Sequence, residues 1–333
     1  MRFVLDDEQR EFARTLDLML RSAGTPAVVR SWASGDHGPG RAVWARLAEA
    51  GVFALAVPEE HEGLGLLPVE LAVAFGELGR HAVPGPLAET VAAGALLGRL
   101  GGDAAHARLP RLASGKAVAS LCVLSPGGSP YALDADAADA VFVVDGDTVR
   151  LAASHGPVQP SADPARRLAR PLGGAVLAQG PAVTAAVAYA VDVAALATAA
   201  QALGLGRALL ERTVEYVRQR TQFGVAVGSF QAVKHRLADT LIALEFAQPL
   251  VHSAALALAA DDHAAGREVA AAKVSACEAA YGAARTALQL HGAVGYTEEL
   301  DLSLWVRKAR PLRSAWGTPA ACRARVLAAH GRR

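Results

Sequence analysis

The run AVTAAVAYAVDVAALATAA at residues 182–200 contains neither Lys nor Arg. Any helix it forms must be covered along most of its length, which limits the architectures open to this chain. By length it could cross a bilayer, which needs about 20 apolar residues. Alanine gains little from lipid, however, and Asp192 sits near the middle, where an acid costs about 2.5–3.5 kcal/mol on insertion scales. A helix buried inside a bundle is the better reading. Leu203, Leu210, Val214 and Val217 continue it as one apolar stripe. Alanine-rich runs at about 230–261 and 266–290 supply neighbours of similar length. The spacing therefore predicts a C-terminal helical bundle over residues 182–333.

The rest of the chain has two textures. Residues 1–115 read as helices: DDEQREFARTLDLMLRSAG, AVWARLAEAG and PVELAVAFGELGR combine helical apolar spacing with acids early and glycine or arginine late. VPEEHEGLGLLP is a turn-rich connector. In residues 116–181 the runs AVASLCVLS, AVFVVDG and TVRLAAS alternate with Gly, Pro, Ser and Asp, which predicts a small antiparallel sheet with its clearest hairpin at VDGDT. The expected order is helical domain, small β domain, helical bundle.

Composition narrows the function. With 333 residues, 52% of them apolar, the chain can build a large core. Thirty-three basic residues against 32 acidic ones leave a net charge of +1, with no footprint for nucleic acid or a membrane surface. Small molecules and other subunits are the expected partners. Cys122, Cys277 and Cys322 lie far apart, as packing residues do in a reducing cytoplasm. The acids in MRFVLDDEQREF are unlike a secretory signal. His61, His235 and His291 lack metal-ligand spacing, and the chain has no Walker loop or nucleophile elbow.

Two runs carry candidate chemistry. RTQFGVAVGSFQAVKHRLAD, from Arg220 to Asp239, gathers an arginine, an aromatic and a glutamine at one helix junction. Such a junction can hold a phosphate through a guanidinium and free backbone N–H groups, or it can be an ordinary helix–helix turn. QLHGAVGY, from Gln289 to Tyr296, places two glycines three apart after a long helix. They suit a close ligand approach and an ordinary C-cap equally.

Taken in order, DDEQREF, WARLAEAGVFALAVPEEHEGLG, GELGR, the β insert, RTQFGVAVGSFQAVKHRLAD, QLHGAVGYTEE and RKAR resemble the acyl-CoA dehydrogenases over the whole chain. The resemblance implies a flavoprotein in which FAD lies between one subunit's β domain and its neighbour's helical domain. Arg220, Phe223 and Gln231 match the residues that serve the adenine and pyrophosphate half of the neighbour's FAD. Gln289, Gly292 and Gly295 match a second such segment, although Ala293 replaces a usual glycine. Gly317 and Thr318 match a Gly-Thr pair at the cofactor. Acyl-CoA as substrate and electron-transfer flavoprotein as acceptor follow from the same resemblance.

The flavin-ring side departs from the family. Leu124, Ser125 and Pro130 stand where a Thr-Glu-Pro type loop would place Thr, Glu and Asp. All four tryptophans, Trp32, Trp44, Trp305 and Trp316, lie outside the shortened β region. The family's catalytic base, a glutamate before the Gly-Thr pair, is Trp316 here. The alternative base position, 26 residues before Arg220, is Ala194. A missing general base costs about 10²–10⁴ in rate, so no catalytic residue is assigned. The pattern resembles the non-catalytic subunits of actinobacterial heteromeric acyl-CoA dehydrogenases, with GELGRHAVPGPLAET as a further likeness, and implies an α2β2 assembly. Two alternatives stay open: a self-sufficient enzyme with a base moved to Glu298 or Glu299, or a binding protein that keeps only the fold. Glu211, Glu215, Glu245, Glu298 and Glu299 are expected to be solvated or paired helix residues.

Overall fold

The computed structural model describes residues 4–125 and 129–330. Acids in the first turn and Arg21 in the last bracket α1 (Asp7–Ser22). Pro26 starts α2 (Thr25–Ser34), which ends at Gly35 with φ 89°, and α3 spans Gly38–Glu49. The turn-rich connector folds back as a two-stranded antiparallel ladder, β1 (Ala56–Val57) with β2 (Gly65–Leu66). Then come α4 (Pro68–Arg80), α5 (Leu87–Leu100) and α6 (Gly102–Ala113).

The middle region contains β3 (Ala119–Leu124), β4 (Ala132–Leu133), β5 (Ala140–Asp145), β6 (Thr148–Leu151), β7 (Ser154–His155), β8 (Leu168–Ala169), β9 (Pro171–Leu172) and β10 (Ala175–Gln179). Its largest sheet has the order β10-β6-β5-β3. The hairpin at VDGDT joins β5 to β6, with Asp145 opposite Thr148 and Gly146 at φ 60°. Glycine is the residue a type II′ turn requires at that first central position. The sheet is not wholly antiparallel as expected, because β3 runs parallel to β5. A hairpin cannot join parallel strands; here the long connection over residues 125–139, carrying β4, makes the crossover. Thr90 on α5 fixes β3 by exchanging hydrogen bonds with the Ala119 backbone at 2.6 and 3.1 Å. Cys122, Ala132, Val141, Val143 and Ala169 form the local core.

The C-terminal bundle comprises α7 (Pro181–Gln219), α8 (Gln231–Ala259), α9 (Ala265–His291), α10 (Leu302–Ser314) and α11 (Pro319–His330), with a short hairpin of β11 (Thr221–Gln222) and β12 (Val225–Ala226) between α7 and α8. The most apolar stretch of α7 is 61% buried, as a core helix should be. Leu203 and Val217 are buried but Leu210 and Val214 only half so; Leu205, Leu209 and Thr213 complete a deeper stripe. The GELGR motif has a packing explanation. A Cβ at Gly79 would lie 1.9 Å from the Gln201 carbonyl, and one at Gly204 1.8 Å from the Gly76 carbonyl. Only glycine lets α4 and α7 approach so closely.

The chain forms two compact units. One holds Arg14–Leu71 and Val83–Ala194, including the β strands from β3 to β10. The other holds the chain up to Ala13, Ala72–Ala82 and everything from Ala195 on, including most of the bundle.

Candidate functional site

Arg220 follows the last residue of α7 and is exposed. Its backbone closes the β11–β12 hairpin, since its N–H donates to Tyr216 O at 2.9 Å and its carbonyl accepts from Val227 N at 2.8 Å. The hairpin turn has positive φ at both central residues, Phe223 at 53° and Gly224 at 80°, the geometry of a type I′ turn. Gly224 adopts it freely; Phe223 does so at some strain. The result is an aromatic ring 93% exposed at the hairpin tip, meeting Phe230 edge-on at 6.4 Å. Gln231 opens α8, also exposed.

A ring stack ties this junction to the second expected segment. Tyr216 lies on His291 with centroids 4.0 Å apart and planes 21° apart, and its hydroxyl donates to His291 O at 3.4 Å. His291 is buried, which pushes its pKa below the ordinary value, although a hydrogen bond with Ala287 O at 2.8 Å acts the other way. Burial thus keeps an uncharged ring in the stack. Gly292 is the C-cap of α9 at φ 62°, so the cap reading of this motif holds structurally. Gly295 is buried against Leu288 and His291. Gln289 and Gly292 line a groove of about 690 Å³ together with Arg236, Arg285 and Tyr296.

The Trp316 loop is held from beneath by a residue that no sequence motif marks. Lys273 on α9, 1% exposed, donates through Nζ to the carbonyls of Leu312 (3.0 Å), Arg313 (3.4 Å) and Gly317 (3.3 Å). Its positive charge sits at the C-terminal end of α10, where a cation is favoured. Arg313 pairs with Glu278 at 2.8 Å and lies over the Tyr281 ring. Between these anchors Trp316 takes φ 54° and Gly317 φ 126°. For a bulky residue such a φ persists only where surrounding contacts over-determine it. Trp316 is half-buried, so it is not simply a core tryptophan; Trp32, Trp44 and Trp305 are. Thr318 is exposed, and its hydroxyl accepts from Ala321 N at 3.2 Å. That is an N-cap on α11, with Pro319 at the first helical position.

Neither expected base position carries a proton acceptor. Ala194 is fully buried in α7, and an indole cannot act as a base. Of the two candidate replacements, Glu298 pairs with Arg307 at 2.7 Å while 79% exposed; among the helix glutamates, Glu211 pairs with Arg80 at 2.6 Å and Glu245 with Arg207 at 2.9 Å. Glu215 accepts from Gln219 Nε2 at 3.3 Å, and Glu299 is exposed. In the divergent β3 loop, Leu124 and Pro130 are half-buried and Ser125 is exposed; residues 126–128 lie outside those described.

Chemically, the hairpin, its aromatic tip and the α9 terminus fit the adenosine and pyrophosphate half of FAD. They present an exposed guanidinium, a stacking ring and an exposed amide. The described residues of the β region offer no tryptophan and no Thr-Glu pair to the isoalloxazine half.

Comparison with known proteins agrees with this architecture. Residues 6–116 match the family model for the acyl-CoA dehydrogenase N-terminal domain, and residues 184–330 that for the acyl-CoA dehydrogenase C-terminal domain. Acyl-CoA dehydrogenase IpdE2 of Mycobacterium tuberculosis is 35% identical over 309 residues, covering 91% of each chain. A chain of the ChsE4-ChsE5 complex from Mycobacterium tuberculosis superposes with a TM-score of 0.85 at 24% identity, over 100% of both chains. Butyryl-CoA dehydrogenase from Megasphaera elsdenii does so at 0.86 and 22% identity, over the same shares. At those identities the two structures establish a common fold.

Proposed function

This chain belongs to the acyl-CoA dehydrogenase family, and on that premise we propose that it is the non-catalytic subunit of a heteromeric acyl-CoA dehydrogenase. It lends its Arg220 segment to the FAD of a catalytic partner in an α2β2 complex. The assembly desaturates an acyl-CoA thioester between its α and β carbons and passes electrons to electron-transfer flavoprotein in the cytoplasm. The bound FAD supplies the hydride acceptor.

The observation that carries this reading is a split between two halves of one site. Arg220, Phe223, Gln231 and Gln289 are exposed, where a cofactor held by another chain can reach them. The two positions that the resemblance assigns to the base carry an indole and a methyl, Trp316 and Ala194. On this reading Arg220 binds phosphate, Phe223 covers an apolar face of the nucleotide, and the Tyr216–His291 stack keeps both segments in register. Trp316 fills space where an acid would be required. An exposed apolar surface on α8 also supports association. Its most apolar stretch is only 33% buried, with Ile242 52% and Phe246 70% exposed, and a helix apolar all round is normally covered. The ChsE4-ChsE5 complex, which shares the fold, joins two different chains.

Purification of the chain alone and together with a catalytic acyl-CoA dehydrogenase subunit tests the proposal. Flavin and turnover are expected only in the joint preparation. Turnover of any acyl-CoA by the isolated chain refutes it.

A further inference from the structure

The face formed by α8 and α9 has a groove of about 810 Å³, which runs on past Arg236, Gly282 and Thr286 into the smaller groove beside Gln289. Its floor is made of small residues, Ala279, Gly282, Ala283 and Thr286, and a Cβ on Gly282 would meet open space. Another helix could therefore approach α9 closely. The exposed Phe246 ring lines one end, and Ile242 and Leu250, one turn to either side, extend the apolar surface along α8.

The charges on this face are unbalanced. Arg236 and Arg323 line the larger groove and Arg285 the smaller. Among the described residues these three guanidiniums have no ion pair, as the salt bridges of the bundle involve other arginines. Of the two acids lining the groove, Glu278 is taken by Arg313, which leaves Asp239 as the available carboxylate. A two-fold contact between copies of this chain sets the surface against itself. Even with Asp239 fully used, two guanidiniums per copy would be enclosed without counter-charge, and like-charge juxtaposition in an interface costs several kcal/mol. An acidic surface would face all three with opposite sign.

We propose that the α8–α9 groove receives an amphipathic helix of the catalytic partner, apolar on its contact stripe and acidic on its flanks, and that Arg236, Arg285 and Arg323 select it over a second copy of this chain. The proposal rests on the reading above that the partner is a different subunit. It assigns these arginines to choice of partner, leaving flavin binding to Arg220.

Two helical peptides of about 20 residues provide the probe. Both carry the same leucine stripe, one flanked by glutamates and the other by lysines, and binding to the full chain is read by fluorescence anisotropy. The glutamate peptide is expected to bind at least about tenfold more tightly than the lysine peptide, with the preference reversed in an Arg236→Glu/Arg285→Glu chain. Both side chains are exposed, so the variant should keep the wild-type circular dichroism spectrum. Equal binding of the two peptides, or binding of neither, overturns the proposal. So does a wild-type homodimer in sedimentation velocity that the two substitutions leave unchanged. No flavin enters this experiment, so its failure leaves the shared flavin site standing, and that site is tested separately by counting flavin.

Discussion

The buried ammonium of Lys273 donates to the carbonyl of Gly317 at 3.3 Å, so a lysine on α9 holds the residue that follows the Trp316 indole. The same Nζ serves the carbonyls of Leu312 and Arg313. Lys273→Met keeps the aliphatic stem but removes every donor. The variant should lose about 1.5–3 kcal/mol, with a thermal midpoint several degrees lower and a red-shifted tryptophan emission as the Trp316 turn loosens. An unchanged midpoint and emission would show that the loop holds itself.

Arg220 is exposed in this chain, so its removal should leave the isolated chain's thermal midpoint within experimental error. In the proposed complex, a charge-assisted contact with pyrophosphate would contribute about 1.5–3 kcal/mol. Arg220→Ala should therefore weaken FAD binding about 10- to 100-fold, measured by flavin retained on dilution. Equal retention in the variant complex would make Arg220 an ordinary surface residue.

Much of this was legible from local pattern. The acids and glycines bracketing α1 and α4, the Gly146 hairpin and the helix junction at Arg220 are short-range signals, and short-range chemistry decides them; the β11–β12 pairing inside that junction was not foreseen. The parallel pairing of β3 with β5 was not legible, because it depends on a crossover of the intervening loop. Lys273 was hidden for a similar reason. In a run of alanines it looks like a solvated helix residue, and only tertiary packing carries the last carbonyls of α10 to it. The spacing also left GELGR without a role, which becomes visible only where α7 crosses Gly76 and Gly79. For the candidate site, Arg220 and Trp316 stand out only through the family resemblance, and their roles are proposals; the Tyr216–His291 stack joins residues 75 apart in sequence, which no local pattern reveals.

Asp134 gives the β region a pH dependence of its own. Burial pushes its carboxyl from 3.8 up to about 8, although its Oδ1 accepts from the Arg167 N–H at 3.1 Å. Between about pH 4 and pH 8 the folded state holds a proton there that the unfolded state has released. Stability should accordingly fall as pH rises through that window, by about 1.4 kcal/mol per unit, and level off above it. Asp134→Asn keeps the shape, tolerates the positive φ of 51° and should flatten the profile. Thermal midpoints from pH 5 to 9 for both proteins decide this, and parallel profiles would count against the raised carboxyl.

Trp316→Glu supplies a carboxylate before the Gly-Thr pair but should give no turnover in the isolated chain, because the described β region offers the flavin ring no tryptophan and Ala194 no second base. Trp316→Phe should leave turnover by the complex within about twofold, since a change in rate of that size is under about 0.5 kcal/mol. Assays across acyl-CoAs of several lengths check both. A shift in chain-length preference on Trp316→Phe would mean that this indole shapes a working acyl pocket.

The most direct test of the shared site is the flavin-to-chain ratio of the purified complex, from flavin absorbance against protein concentration. One FAD for each pair of unlike chains, two in the α2β2 tetramer, is the expected result, with the isolated chain colourless. One FAD on every chain, or a yellow isolated chain, would contradict the assignment of this protein as the subunit that completes its partner's cofactor site.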